Sequence, residues 1–131
     1  MVILITGKKD AGKTHHAKLL AKELLACGIS TVVLDGDEYR AKQKTTGKEH
    51  FTDEARVKNL MGAAHMAAEL EAQGSLVIMA FVAPKQGWRD RMRKCWKKSR
   101  VIYVPGGMLW PGTTYERPSD EEQQIRIYKK E

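Results

Sequence analysis

Cysteine is scarce: Cys27 and Cys95 are the two in 131 residues. Their separation matches neither a metal-ligand nor a redox spacing, which excludes a zinc module and points to buried thiols in a reducing compartment. Long apolar runs are missing as well. The opening stretch Val2-Ile3-Leu4-Ile5 stops at Thr6-Gly7, short of the roughly 7 to 15 apolar residues of a secretory signal and far short of a membrane span. A cytoplasmic location without membrane attachment is the expectation. Four prolines and 11 glycines are too few for a collagenous or disordered chain. Acidic residues are outnumbered: 16 Asp and Glu against 23 Lys and Arg give a formal charge of +7. Such a balance favours anionic partners, whether nucleotides, phosphates or nucleic acid, without choosing among them.

What remains is a chain of one-domain length, read as a single unit over residues 1–131. Val2 to Thr6 is an aliphatic run of the kind buried on both faces of a parallel sheet. From Lys13 to Ala26 the apolar residues Ala17, Leu20, Ala21, Leu24 and Leu25 recur on one helical face, with Gly28 as a C-terminal cap. Thr31 to Leu34 predicts a second strand, delivering Asp35-Gly36-Asp37 at its carboxyl end. The polar stretch Ala41 to His50 reads as a loop. Thr52 followed by Asp53 and Glu54 marks a helix start, and a stripe through Val57, Leu60, Met61, Ala64, Ala68 and Leu70 carries that helix to Gly74. Leu76 to Val82 predicts a third strand. Trp88, Met92, Cys95 and Trp96 repeat at helical spacing, with a basic solvated face between them from Arg89 to Arg100. Val101 to Val104 predicts a fourth strand, Pro105 to Pro118 a loop in which Trp110 packs, and Ile125 to Tyr128 a short edge strand. The alternation predicts an α/β domain of three layers, a mainly parallel sheet flanked by helices.

The strongest chemical signal is Gly7-Lys8-Lys9-Asp10-Ala11-Gly12-Lys13-Thr14. It is a complete G-x-x-x-x-G-K-[ST] phosphate loop set between a strand and a helix. Glycines let successive N–H groups turn inward, and the helix amino end adds positive potential, so a polyphosphate is held largely by the main chain. Lys13 is expected at the β- and γ-phosphates, Thr14 at Mg²⁺, and His15 beside them. His15 and His16 do not form a metal pair, because adjacent helical residues point in different directions.

Further segments follow in a telling order. Asp35-Gly36-Asp37 with Arg40 fits D-G-D-x-x-R, and Phe51-Thr52 with Arg56 and Asn59 fits F-[ST]-x-x-x-R-x-x-N. Ala80-Phe81-Val82-Ala83-Pro84 is followed by Arg89-Asp90-Arg91, and Tyr115-Glu116-Arg117-Pro118 fits Y-E-x-P. From the first strand to that last loop the chain resembles the adenylylsulfate kinases, which phosphorylate adenosine 5′-phosphosulfate. The resemblance implies a P-loop NTPase fold, with ATP and Mg²⁺ as donor and cofactor. Lys13 and Asp37 become the catalytic residues, Asp37 aligning the acceptor hydroxyl and joining Thr14 at the metal, while Asp35 is structural. Arg40, Phe51, Arg56, Asn59 and the segment Phe81, Val82, Ala83, Pro84 and Lys85 would contact the acceptor. Arg89 and Arg91 would assist at the phosphates, and Tyr115 to Pro118 would lie near the base.

The departures are specific. Leu60, Met61 and Gly62 stand where the family pattern has arginine, and Lys85-Gln86 replaces an aromatic residue and an arginine. The chain passes from Val104 through Pro105-Gly106-Gly107-Met108 in few residues, so neither the family's basic lid nor its final helix is expected here. A smaller relative with a changed acceptor is therefore expected. The alternatives are a kinase acting on a nucleoside or nucleic-acid hydroxyl, a non-catalytic ATP-binding module, or a basic nucleic-acid adaptor. A homodimer is allowed.

Overall fold

The computed structural model describes residues 1–42, 52–109 and 111–128. Its elements are β1 (Val2–Thr6), α1 (Lys13–Ala26), β2 (Thr31–Asp35), α2 (Gly36–Lys42), α3 (Asp53–Ala72), β3 (Leu76–Ala80), α4 (Gln86–Arg93), β4 (Lys98–Tyr103) and β5 (Arg126–Ile127). The strands form one sheet in the order β2-β3-β1-β4-β5. The first four are parallel, and β5 runs antiparallel along the outer edge of β4.

β1 lies at the centre of this sheet, which explains its unbroken aliphatic sequence. Its alternate side chains enter two different cores. Val2 and Leu4 join Leu60, Ala63, Ala64 and Ala67 of α3, with Met92 and Trp96, on one face. Ile3 and Ile5 meet Ala17 and Ala21 of α1 on the other. A strand covered on both sides has no polar face, so it reads as continuous rather than alternating. The alanines of α3 let its backbone approach the sheet closely. Both long helices end in the same way. Gly28 at φ +81° lets its own N–H bond Leu25 and that of Ile29 bond Leu24, each at 3.0 Å, the paired closure that favours glycine past a helix end. Gly74 at φ +96° repeats it after α3, and Thr52 caps the start of α3 through a 3.2 Å bond from the Ala55 amide.

Several boundaries differ from expectation. Ala41 and Lys42 belong to α2, a seven-residue helix too short to show periodicity; the rest of the predicted loop, with Phe51, lies outside the described residues, as does Trp110. β3 ends at Ala80 because the chain bends away through Phe81 and Val82 to Ala83, whose φ is +40°. α4 ends at Arg93, leaving Cys95 and Trp96 in the turn that follows. Trp96 is nonetheless fully buried and donates its indole N–H to the Ala64 carbonyl at 2.9 Å. β4 begins at Lys98, earlier than expected, and stops before Val104.

The basic solvated face also needs correction. Arg89 and Arg93 are both 0% exposed, so two of the cations in that run point into the protein with Met92 and Trp96. They satisfy acceptors from a distant part of the chain. No helix among the described residues is long and apolar enough to cross a membrane.

Candidate active site

Beyond the carboxyl end of β1 the chain crowds against its neighbours. A Cβ on Gly7 would sit 2.6 Å from the carbonyl oxygen of Val104, so only hydrogen fits there. Asp10 and Gly12 take positive φ values of 61° and 102°, turning the loop back into the start of α1. The Lys13 ammonium folds over this loop and donates to the Lys8 carbonyl at 2.7 Å. Burial lowers its pKa, while the carboxylates of Asp37, Asp10 and Asp35 act in the opposite sense.

Thr14, in the first turn of α1, donates its hydroxyl to one oxygen of Asp35. The other oxygen of Asp35 accepts the amides of Asp37 at 3.0 Å and Glu38 at 3.2 Å. One carboxylate thus joins the phosphate loop's helix to the amino end of α2. It also orients the Thr14 hydroxyl. Asp37 itself is open to solvent, its side chain 88% exposed and paired with Arg40.

These groups line a cleft of about 790 Å³ at the carboxyl ends of the strands. Of the expected residues, Lys9, Asp10, Gly12, Lys13, Thr14 and His15 form its phosphate-loop end, and Asp37, Arg40, Arg56 and Asn59 lie along it. Phe81, Val82, Ala83 and Pro84 complete a wall. Gly7, Lys8 and Ala11 shape the loop without lining the cleft. Lys85 does not line it either: its ammonium lies 5.5 Å from the centre of the Trp88 ring and 3.8 Å from Asp53. Arg91 faces a shallower groove between α3 and α4 with Trp88 and Lys85. Arg89 is sealed in the interior on Glu122 and the carbonyls of Ala83 and Glu116, so its donors do not face the cleft.

Sequence reasoning missed Met108, Leu109, Thr113 and Thr114, which also line the cleft. They sit in the Pro- and Gly-rich loop, where no periodic pattern marks a residue's direction. The Met108 amide donates to the Lys9 carbonyl at 2.9 Å. Gly107, at φ +77°, is pressed so closely on the phosphate loop that an added Cβ would meet the Ala11 nitrogen at 3.0 Å. Behind the wall, the Thr6 hydroxyl donates to the Val82 carbonyl at 2.6 Å and shares a 2.8 Å bond with the Tyr115 hydroxyl. Burial raises the Tyr115 pKa, so this phenol stays protonated. Glu116 donates its amide to the Pro84 carbonyl at 2.7 Å and caps α4 with its carboxylate, 2.9 Å from the Gln86 amide. The Tyr115 to Pro118 segment therefore braces the wall.

No group of three or more His, Cys, Asp or Glu that could hold a metal occurs among the described residues. The Thr14 hydroxyl and the Asp35 carboxylate that it meets are hard oxygen donors, the kind that Mg²⁺ takes in small number while completing its shell with phosphates and water.

A cleft at the carboxyl end of a parallel sheet, floored by a glycine loop that opens into a helix, defines a protein of the P-loop NTPase class. Residues 1–108 match the family described as adenylylsulphate kinase, and the chain belongs to that family. It is 34% identical over 94 residues to the adenylyl-sulfate kinase of Bacillus velezensis, covering 71% of this chain and 46% of that protein. It is 35% identical over 102 residues to a probable adenylyl-sulfate kinase of Archaeoglobus fulgidus, covering 78% and 64% respectively. The chain thus spans about half to two thirds of the length of these relatives. Among solved structures, the APS kinase CysC of Mycobacterium tuberculosis in complex with AMPPNP and APS superposes with a TM-score of 0.72 at 29% identity, covering 79% of this chain and 61% of that one.

Proposed function

We propose that this chain is a small kinase that moves the γ-phosphoryl group of ATP onto a hydroxyl of a nucleotide-like acceptor, with adenosine 5′-phosphosulfate the first candidate. The observation that carries this reading is that one cleft holds both halves of such a reaction. Lys13 and the Thr14–Asp35 pair sit at the phosphate-loop end, and Asp37, Arg40, Arg56 and Asn59 lie along the same cavity.

Phosphoryl transfer asks the protein mainly for alignment and charge stabilisation. The acceptor oxygen forms a bond to the γ-phosphorus as the bond to the β–γ bridging oxygen breaks. ADP leaves, and the hydroxyl proton passes to the Asp37 carboxylate or to water. Lys13 moves from the Lys8 carbonyl to the phosphates and offsets their charge. Mg²⁺ would be held by Thr14, whose hydroxyl Asp35 orients, with Asp37 as the second protein oxygen; once bound it neutralises phosphate charge. Arg40, Arg56 and Asn59 recognise the anionic and polar groups of the acceptor. The burial of Arg89 and Arg93 removes cations from the surface that a nucleic-acid acceptor would use, which favours the small-molecule reading.

The test is single-turnover transfer from γ-labelled ATP to adenosine 5′-phosphosulfate, a nucleoside and an oligonucleotide in parallel. Label is expected on the first, and Asp37→Asn should slow its appearance by about 10²-fold or more. Label on none of them, with ATP bound, would leave a nucleotide-binding module. Unchanged transfer by Asp37→Asn would remove that residue from the mechanism.

A further inference from the structure

Arg89 and Arg93 stand one turn apart on the inner face of α4, both fully buried, yet they meet different surroundings. Arg93 reaches neutral acceptors: the Ser99 hydroxyl at 2.9 Å and the carbonyls of Glu122, Ser99 and Gln124 at 2.5, 3.1 and 2.7 Å. It fastens the segment around Glu122 to β4. Arg89 instead forks onto the Glu122 carboxylate, Nε to Oε2 at 2.6 Å and Nη2 to Oε1 at 3.0 Å. Its outward donors go to two carbonyls, Ala83 at 2.8 Å and Glu116 at 2.8 Å.

Those carbonyls belong to the two segments that form one side of the cleft. Ala83 and Pro84 line it directly, and Thr113 and Thr114 line it just ahead of Glu116. Ala83 holds φ +40°, a region that L-residues rarely occupy and that persists only where surrounding contacts fix it. The Glu116 amide closes the circuit on the Pro84 carbonyl at 2.7 Å. A buried ion pair is a weak source of stability, since well-packed apolar replacements often do as well. A planar guanidinium, however, aims several N–H groups in fixed directions at once, which no apolar pair can do.

We propose that Arg89, oriented by Glu122, is a positioning residue: it holds the Ala83-Pro84 wall in register with residues 113–116 and thereby sets affinity for the acceptor. Its hydrogen bonds go to Glu122, Ala83 and Glu116 and not to the phosphate loop. The kinetic part of this inference rests on the kinase reading, whereas the order of the wall is measurable without turnover.

The experiment compares the wild type with the double variant Arg89→Met/Glu122→Leu and with Arg89→Lys, which keeps the charge but not the fork. Hydrogen exchange of the Glu116 amide and its neighbours is read beside calorimetric affinity for MgADP and steady-state kinetics with adenosine 5′-phosphosulfate. Both variants should exchange faster at Glu116, bind MgADP as the wild type does, and show a KM for the acceptor raised about tenfold with a smaller change in kcat. A folded variant with wild-type exchange and wild-type KM would overturn the proposal. Should the double variant fail to fold, Arg89→Lys carries the same test. If the wild type transfers no phosphoryl group, the kinase reading fails, and exchange at Glu116 alone decides whether Arg89 positions the wall.

Discussion

Lys13 already has a partner, the Lys8 carbonyl at 2.7 Å, so a phosphate chain entering the loop replaces an existing contact and meets a cation folded toward it. Replacing Lys13 with Met is expected to lower single-turnover transfer by about 10² to 10³-fold, with rapid-quench kinetics as the measurement. Burial sets the pH dependence. The folded pKa lies below the ordinary 10.5, with desolvation outweighing the pull of Asp37, Asp10 and Asp35. Nucleotide affinity of the free protein should therefore weaken on alkaline titration before a free lysine would lose its proton, as calorimetry across that range would record. The stability sign follows from the same shift: the cost of burying the charge is present below the folded pKa and is relieved as pH rises through it. The loop that holds Lys13 was legible because its chemistry sits in one contiguous run with a fixed spacing. Arg89 was not. Its partners Glu116 and Glu122 lie far along the chain, and arginine between apolar residues at helical spacing ordinarily marks a solvated face.

At the scale of elements, one side chain ties the end of α3 to the start of β4. Glu71, in the last turn of α3, accepts the amides of Lys97 at 2.8 Å and Lys98 at 3.2 Å and pairs with the amino terminus at 3.1 Å. Burial alone would raise its pKa, but these donors bring it below the ordinary 4.5. A depressed carboxylate contributes stability above its unfolded pKa and loses it as pH falls through the folded value. Glu71→Ala should therefore cost about 1 to 3 kcal/mol near neutrality, and the gap to the wild type should narrow below about pH 4; urea denaturation at both pH values checks it. The long helices and central strand were readable because periodicity and caps agree, as at Thr52 and Gly28. α2 was not, since one turn of Asp35 acceptance starts it and seven residues give no stripe. The end of β3 was hidden because Phe81 and Val82 continue the apolar pattern while the backbone bends toward Ala83.

At the scale of the molecule, ligand binding and folding are linked. If the cleft takes MgATP, a concentration about 100 times Kd should stabilise the fold by about 2.7 kcal/mol and raise Tm by roughly 10 °C for a chain of this length. Scanning calorimetry with and without Mg²⁺ measures both dependences, and an unchanged Tm in saturating nucleotide would contradict the proposed site. The three layers and parallel sheet followed from alternating strands and helices, because that order leaves few ways to cover both faces of a central strand. The cleft's far side did not follow, because it is made by Tyr115 and Glu116 returning to Thr6, Pro84 and Gln86. That return sets an order of assembly. A nascent chain displaying only its first hundred or so residues would carry the phosphate loop and α4, yet the charges of Arg89 and Arg93 would have neither Glu122 nor the carbonyls beside it to meet. Until that stretch clears the ribosome, α4 has reason to stay loose on the sheet, and the pocket is completed only once Tyr115, Glu116 and Glu122 have joined it.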